Sequence, residues 1–241
     1  PRFFGTLWQG LRPLCASAEY VAACQRLRKR AEDGAAALNP QPMAARLAAL
    51  GYAERELDNI RDVLEVFSHG NPLYVYIASA ARLLLEGGEL SAHTAATPFA
   101  GRHAPATGVT LNLLERHHAE TPTVAVYDDI MATLRLPIVN TDYRALARWP
   151  SYFALAWSDL KPLLAQPGYS QLCDALHSQI ADDLAHTLPN PGGLQGAALR
   201  AAAAEDASVA EVLEVCRLFQ WLLPGLISNV AVFHLALARN P

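Results

Sequence analysis

A chain of 241 residues, 52% apolar and 17% charged, has the material for one large buried core or two small ones, and that balance excludes a disordered, highly charged polypeptide. The formal net charge of −4 gives no basic footprint, so no nucleic-acid partner is expected. Four scattered cysteines, Cys15, Cys24, Cys173 and Cys216, form no CxxC pair; with no secretory signal visible they read as reduced, buried thiols of a cytoplasmic protein.

Alanine and leucine dominate and β-branched runs are few, so the expected fold is all-α. In chain order, apolar spacing of three and four predicts helices over 3–14, 19–32 and 53–67. A break at Gly70-Asn71 then separates a further helix over 72–85. Residues 87–110, rich in Gly, Ala, Thr, His and Pro, read as a linker, followed by a helix over 109–118. Residues 124–137 open the second half. Helices over 153–164, 169–187 and 208–238 complete it, the last with a bend at Pro224-Gly225. Pro13 and Pro162 are expected to end or kink their helices at equivalent places. The stretch 218–238 is apolar enough to suggest a membrane span, but Gln220, Pro224, Asn229 and His234 make a buried core helix the better reading.

An internal repeat stands out. Residues 1–8, PRFFGTLW, resemble residues 150–157, PSYFALAW, at an offset of 149. The same offset pairs Pro13 with Pro162, Tyr20 with Tyr169, Cys24 with Cys173, and VLEV at 63–66 with VLEV at 212–215. The expected organisation is a first helical repeat over 1–86, a linker with one helix over 87–123, and a second repeat over 124–241: a duplicated unit, or pseudo-dimer. The first repeat has no counterpart of residues 124–149, so it is expected to lack its N-terminal segment, whether trimmed, disordered or absent.

No P-loop, GxGxxG, HExxH or GxSxG motif is present. Two clusters carry candidate chemistry. In the first, Asn140-Thr141-Asp142-Tyr143 lies between an apolar stretch and an apolar helical one. Thr141 or Asp142 can cap that helix, or Asp142 can act as a carboxylate at the edge of an apolar pocket. With a reference pKa near 3.9 such a group is ionised at neutral pH and able to take a proton from water. In the second, His69-Gly70-Asn71-Pro72, Asn71 can cap a helix or orient a water or a substrate carboxylate. His117 and His118, flanked by Glu115 and Glu120, read as a solvated face and not a metal site, because neighbouring helix positions point about 100° apart. His69 and His234 have no evident partner and are read as structural.

These segments, YDDIMATLRLP at 127–137, TDYRALARWP at 141–150 and FSHGNPLY at 67–74, together with the duplication, resemble the group I 2-haloacid dehalogenases, which process D- and L-2-haloacids. The resemblance spans nearly the whole chain and implies an all-α, distantly alkylhydroperoxidase-like fold. It implies that Asp142 activates a water that attacks the halogen-bearing carbon with inversion and without a covalent enzyme ester. Asn71 then helps to hold that water. Thr141, largely through its backbone, binds the substrate carboxylate together with Asn140 and Tyr143, and Trp221 lines the halide side. No metal or organic cofactor is implied. The expected partner is a small halogenated carboxylic acid, with no membrane and a possible homodimer. The family's N-terminal aromatic residues are outside this sequence, and the repeat places Gln220 opposite Asn71, so the halves are not chemically equivalent. Two other readings stay open: an alkylhydroperoxidase-like redox protein, although the CxxC such enzymes use is missing, and a non-catalytic helical protein that binds a small carboxylate or a partner helix.

Overall fold

The computed structural model describes residues 1–105 and 108–238. Residues 106 and 107 of the linker and the last three residues therefore lie outside the description. Among the described residues the regular structure is helical. The helices are α1 (Arg2–Cys15), α2 (Ala18–Ala37), α3 (Ala44–Ala49), α4 (Glu54–Leu85), α5 (Thr121–Leu134), α6 (Thr141–Leu146), α7 (Pro150–Leu164), α8 (Pro167–Asp182), α9 (Gly196–Asp206) and α10 (Val209–Ala236). A 3₁₀ turn spans Arg116–His118 and a π turn Asp183–Thr187. Shifted by 149, α1 falls on α7, and α2 falls on α8 with its π turn.

Two local expectations are corrected. α4 runs unbroken through Gly70, Asn71 and Pro72. A proline removes one N–H from the ladder, and here burial of Leu64, Phe67, Asn71, Val75 and Tyr76 on both sides of it holds the helix together. As expected of residues 208–238, α10 is one helix with Pro224 inside it. The stretch expected as a helix over 109–118 is irregular except for the three-residue 3₁₀ turn. There the Leu114 N–H donates to the Arg144 carbonyl at 3.0 Å, and the Leu114 carbonyl accepts from Tyr127 Oη at 2.8 Å, so the backbone bonds to neighbours instead of to itself. Two helices escape the periodicity reading: α3, only six residues long, and α9, whose alanine-rich sequence shows little contrast between faces. Pro13 and Pro162 both sit inside the last turn, and each helix ends two residues later.

The chain forms two compact units, each assembled from both halves of the sequence. The first comprises residues 1–31, 69–104 and 171–227. Its core is built on α1, whose Phe3, Leu7, Leu11 and Leu14 are buried with Tyr20, Leu27, Tyr76, Leu176 and Leu199. α1 packs on α9. Gly192 presses against the α1 backbone so closely that a Cβ there would meet the Gly10 carbonyl oxygen at 2.1 Å. With no side-chain cap at Pro1, the first N–H groups of α1 donate instead to the Asp206 carboxylate, at 2.9 Å from Arg2 and 2.7 Å from Phe3. Those two bonds hold the Asp206 carboxyl below its ordinary value.

The second unit comprises residues 32–68, 105–170 and 228–241. α5 and α6 pack on α7. Leu47, Ile60, Leu64, Tyr127, Ile130, Tyr143, Phe153, Leu160 and Phe233 are buried there. The last turn of α10 leaves carbonyls that its own ladder cannot use. The Met43 N–H takes that of Ala236 at 2.8 Å, and Arg61 Nε that of Leu237 at 2.8 Å. α10 is the one helix among the described residues long and apolar enough to cross a membrane, and 61% of its most apolar window is buried inside the chain.

Candidate active site

α6 is a helix of six residues, too short to hold its shape alone. α5 stops at Arg135, whose left-handed φ of 55° turns the chain. The turn leads to Asn140 at the N-cap position, which makes no side-chain capping bond. The helix proper then opens with Thr141, exposed, followed by Asp142 and Tyr143, both buried. Four of the residues singled out in the sequence, Asn140, Thr141, Asp142 and Tyr143, therefore stand together on one turn of the second unit. Asp142 is 5% exposed, a low figure for a carboxylate that sits in the first turn of a short helix.

Three anchors fix α6. Arg144 makes a two-oxygen ion pair with Glu115, at 2.7 and 2.9 Å. The Arg144 carbonyl accepts from Leu114. The third anchor is a buried polar chain: Tyr169 Oη donates to Asn229 Oδ1 at 2.8 Å, and Asn229 Nδ2 donates to Tyr143 Oη at 2.9 Å. Asn229 and Tyr143 are each only 1% exposed. In this arrangement the Tyr143 oxygen acts as an acceptor and keeps its own proton to donate. Burial pushes the Tyr143 phenol well up, the Asn229 bond opposes this, and the charge of Asp142 beside it raises it further. Tyr143 Oη therefore stays protonated next to Asp142. The buried Asn140 Oδ1 has no hydrogen-bond partner, which leaves an acceptor beside Thr141.

In the first unit, Asn71 is 4% exposed in the middle of α4 and is no helix cap. Two residues before it, His69 receives Arg28 Nη1 at 3.1 Å and lies 5.5 Å from the His103 ring. Burial, then His69 and Arg28, push the His103 imidazole below its ordinary value. His69 thus has partners that the sequence did not reveal. His234, in the second unit, also has one, Glu65 at 3.7 Å. Gln220, offset by 149 from Asn71, is 1% exposed and bonded to His177, with its Oε1 unpartnered. Trp221 stands outside the buried set: it is 59% exposed and stacked on the His177 ring at 4.3 Å. That placement does not supply the enclosed apolar wall expected of it.

Sequence reasoning missed Asn229 and Tyr169. A signal existed for the first, since Asn229 is a polar residue inside the most apolar run of the chain, and such a residue must find a partner. Nothing in the sequence tied it to Tyr143.

The chain matches no family model. It is similar to an (R)-2-haloacid dehalogenase of Rhizobium sp. (strain NHG3), with 45% identity over 202 residues that cover 81% of this chain and 76% of that protein. It is also similar to an (R)-2-haloacid dehalogenase of Pseudomonas putida, 34% identical over 244 residues, 96% of this chain and 78% of that one. At greater distance it resembles a configuration-inverting 2-haloacid dehalogenase of Pseudomonas sp. (strain 113), 26% identical over 67% of this chain and 54% of that protein. Among solved structures it superposes on a D-2-haloacid dehalogenase mutant in complex with D-2-CPA, with a TM-score of 0.89 and 30% identity, over 99% of this chain and 82% of that one.

Proposed function

Because the chain belongs to the 2-haloacid dehalogenase family, hydrolases of the carbon–halogen bond, we propose that it acts on the D enantiomer of short 2-haloacids, with Asp142 as the base. The observation that carries the family is 45% identity over most of the chain to an (R)-2-haloacid dehalogenase. The names of that relative and of the Pseudomonas putida one favour a D preference over the D-and-L range that the sequence resemblance implied.

In this reading a water gives a proton to the Asp142 carboxylate while its oxygen attacks the α-carbon from the face opposite the halogen. The C–O bond forms as the carbon–halogen bond breaks, the halide leaves with the electron pair, and a 2-hydroxy acid of inverted configuration results. Asp142 then returns its proton to solvent. Burial supports the role of Asp142, because a carboxylate removed from bulk water pulls harder on a bound water proton. The anchoring of α6 supports it too, since a base acts only when held in position. We assign Asn71 to holding the attacking water, and Thr141, with Asn140 and Tyr143, to the substrate carboxylate. We further propose that no metal or organic cofactor takes part, that the protein works in a reducing cytoplasm, and that it pairs as a homodimer. The coincidence of helix bounds at the 149 offset supports the duplication.

The test is a single turnover in heavy-oxygen water with excess enzyme. The label is expected in the hydroxyl of the product and not in Asp142. Label found in the Asp142 carboxylate would mean a covalent ester and overturn the direct displacement.

A further inference from the structure

α4 carries Asn71 at its weakest turn. Pro72 brings no N–H, so the Ser68 carbonyl loses its ladder partner, and Gly70 adds a residue of low helical preference. A helix bends most readily where a rung is missing. The direction of the Asn71 side chain therefore depends on what holds the turn just beyond Pro72. That turn is held by Tyr20 of α2, whose hydroxyl donates to the Leu73 carbonyl at 2.6 Å.

The anchor is itself well fixed. Tyr20 is 1% exposed, and its ring lies against that of Tyr76 with centroids 5.7 Å apart. Tyr76 Oη donates to Asp183 Oδ2 at 2.5 Å, and the Arg26 guanidinium stands 3.5 Å from the other oxygen of that carboxylate. α2 is pinned at its start, where the Tyr20 N–H donates to Ser17 Oγ at 3.1 Å and the Ala18 N–H to the Thr97 carbonyl at 2.8 Å. The Tyr20 hydroxyl also meets the Cys15 thiol, and burial pushes both groups above their ordinary values, so both stay protonated. Tyr20 thus keeps a proton for Leu73.

The repeat gives this bond a counterpart. The offset of 149 carries Tyr20 of α2 onto Tyr169 of α8. Tyr169 reaches α6 through Asn229 and Tyr143, next to Asp142. Tyr20 reaches α4 two residues past Asn71. Ala80 stands at the position of Asn229 in the first repeat, so no side-chain amide is there to answer Tyr20, and a main-chain carbonyl takes its place. The same tyrosine of each repeat holds the helix that bears one of the two residues assigned to the attacking water.

We propose that Tyr20 is a positioning residue for dehalogenation, its hydroxyl setting the turn of α4 from which Asn71 holds the water. The proposal rests on the role assigned to Asn71. The test is Tyr20→Phe, which keeps the ring on Tyr76 and strands no donor, because the Leu73 carbonyl stays in the α4 ladder; circular dichroism checks the fold. With D-2-chloropropionate, kcat for chloride release is expected to fall about three- to tenfold while KM stays within about twofold. In the Asn71→Ala background the same substitution is expected to change kcat by less than about twofold, a coupling that general loosening of the fold would not give. A readout without turnover is the pair of Asn71 side-chain amide signals in the NMR spectrum, identified by their loss in Asn71→Ala. They are expected to shift in Tyr20→Phe while those of Asn229 stay in place. Unmoved Asn71 signals overturn the proposal, as do losses of kcat that simply add. A slow Asn71→Ala beside a Tyr20→Phe of wild-type rate overturns the proposal alone. Wild-type rates in Asn71→Ala overturn the role of Asn71 and the proposal with it.

Discussion

Replacing Tyr143 with phenylalanine removes one oxygen from the chain that runs from Tyr169 through Asn229 to α6. The ring and its contacts with Phe153 and Trp157 remain, so packing changes little. The loss falls on Asn229, whose Nδ2 is left without the 2.9 Å acceptor in a place 1% exposed to solvent. A buried donor left unsatisfied costs about 1–3 kcal/mol. For a chain of this size each kcal/mol lowers Tm by about 2–4 °C, so a fall of about 2–12 °C is expected. Asn229→Ala removes both bonds and opens a cavity, so it should cost more, about 2–4 kcal/mol. The double variant should cost less than the sum by about 1 kcal/mol, because the two residues share one bond. Thermal unfolding followed by circular dichroism gives the first quantity, and urea denaturation of all four proteins gives the cycle. In parallel, kcat for halide release should drop about tenfold in Tyr143→Phe, because Asp142 rides on the turn that this bond anchors. A Tm within one degree of wild type together with an additive cycle would refute the reasoning, and an unchanged kcat would show that the network supports the fold alone.

Asp142→Asn should lower halide release by about 10²–10⁴-fold, the usual worth of a general base, while the circular dichroism spectrum stays that of the wild type; wild-type rates in a folded variant assign the base elsewhere. Asn71→Ala should reduce kcat by about tenfold or more, and its effect should largely vanish in the Asp142→Asn background if both groups serve one water; fully additive losses would separate their roles. His103 is pushed below its ordinary value in the native state, so the unfolded chain takes up its proton first as the pH falls. Its contribution is present above the ordinary histidine range and is lost as pH falls through about 6.5; His103→Gln should flatten the decline in unfolding free energy between pH 7.5 and 5.5 seen by urea denaturation, and an identical decline contradicts this. Gly192→Ala forces a Cβ to 2.1 Å from the Gly10 carbonyl, so α1 must move; a loss of about 3 kcal/mol or more is expected in denaturant unfolding, and a neutral variant would show that the turn yields freely.

The sequence carried the helices whose apolar periodicity is strong, such as α1, α7 and α8, because spacing of three and four residues is a local property. It misplaced the break in α4 because Gly70, Asn71 and Pro72 are breakers only when nothing else holds the helix, and the buried side chains on either flank are long-range information. It expected a helix over 109–118 where Leu114 instead gives both its backbone groups to Arg144 and Tyr127, again a matter of partners distant in sequence. Of the candidate site residues, Asp142 stood out as a lone carboxylate between apolar stretches, and Asn71 as a polar residue in a breaker motif. The support of Asp142 was not: the Tyr143–Asn229 bond joins residues 86 apart. The role given to Trp221 came from resemblance alone, and its exposure follows from its place on the outward face of α10 against His177.

The central claim is inverting, water-driven dehalogenation of a D-2-haloacid. It is tested most directly by incubating the purified chain with D- and L-2-chloropropionate separately and measuring chloride and the chirality of the lactate formed. The account predicts chloride release from the D acid with L-lactate as the product, at a rate lower by about 10²–10⁴-fold in Asp142→Asn. D-lactate from the D acid, or no chloride from either enantiomer, would contradict it.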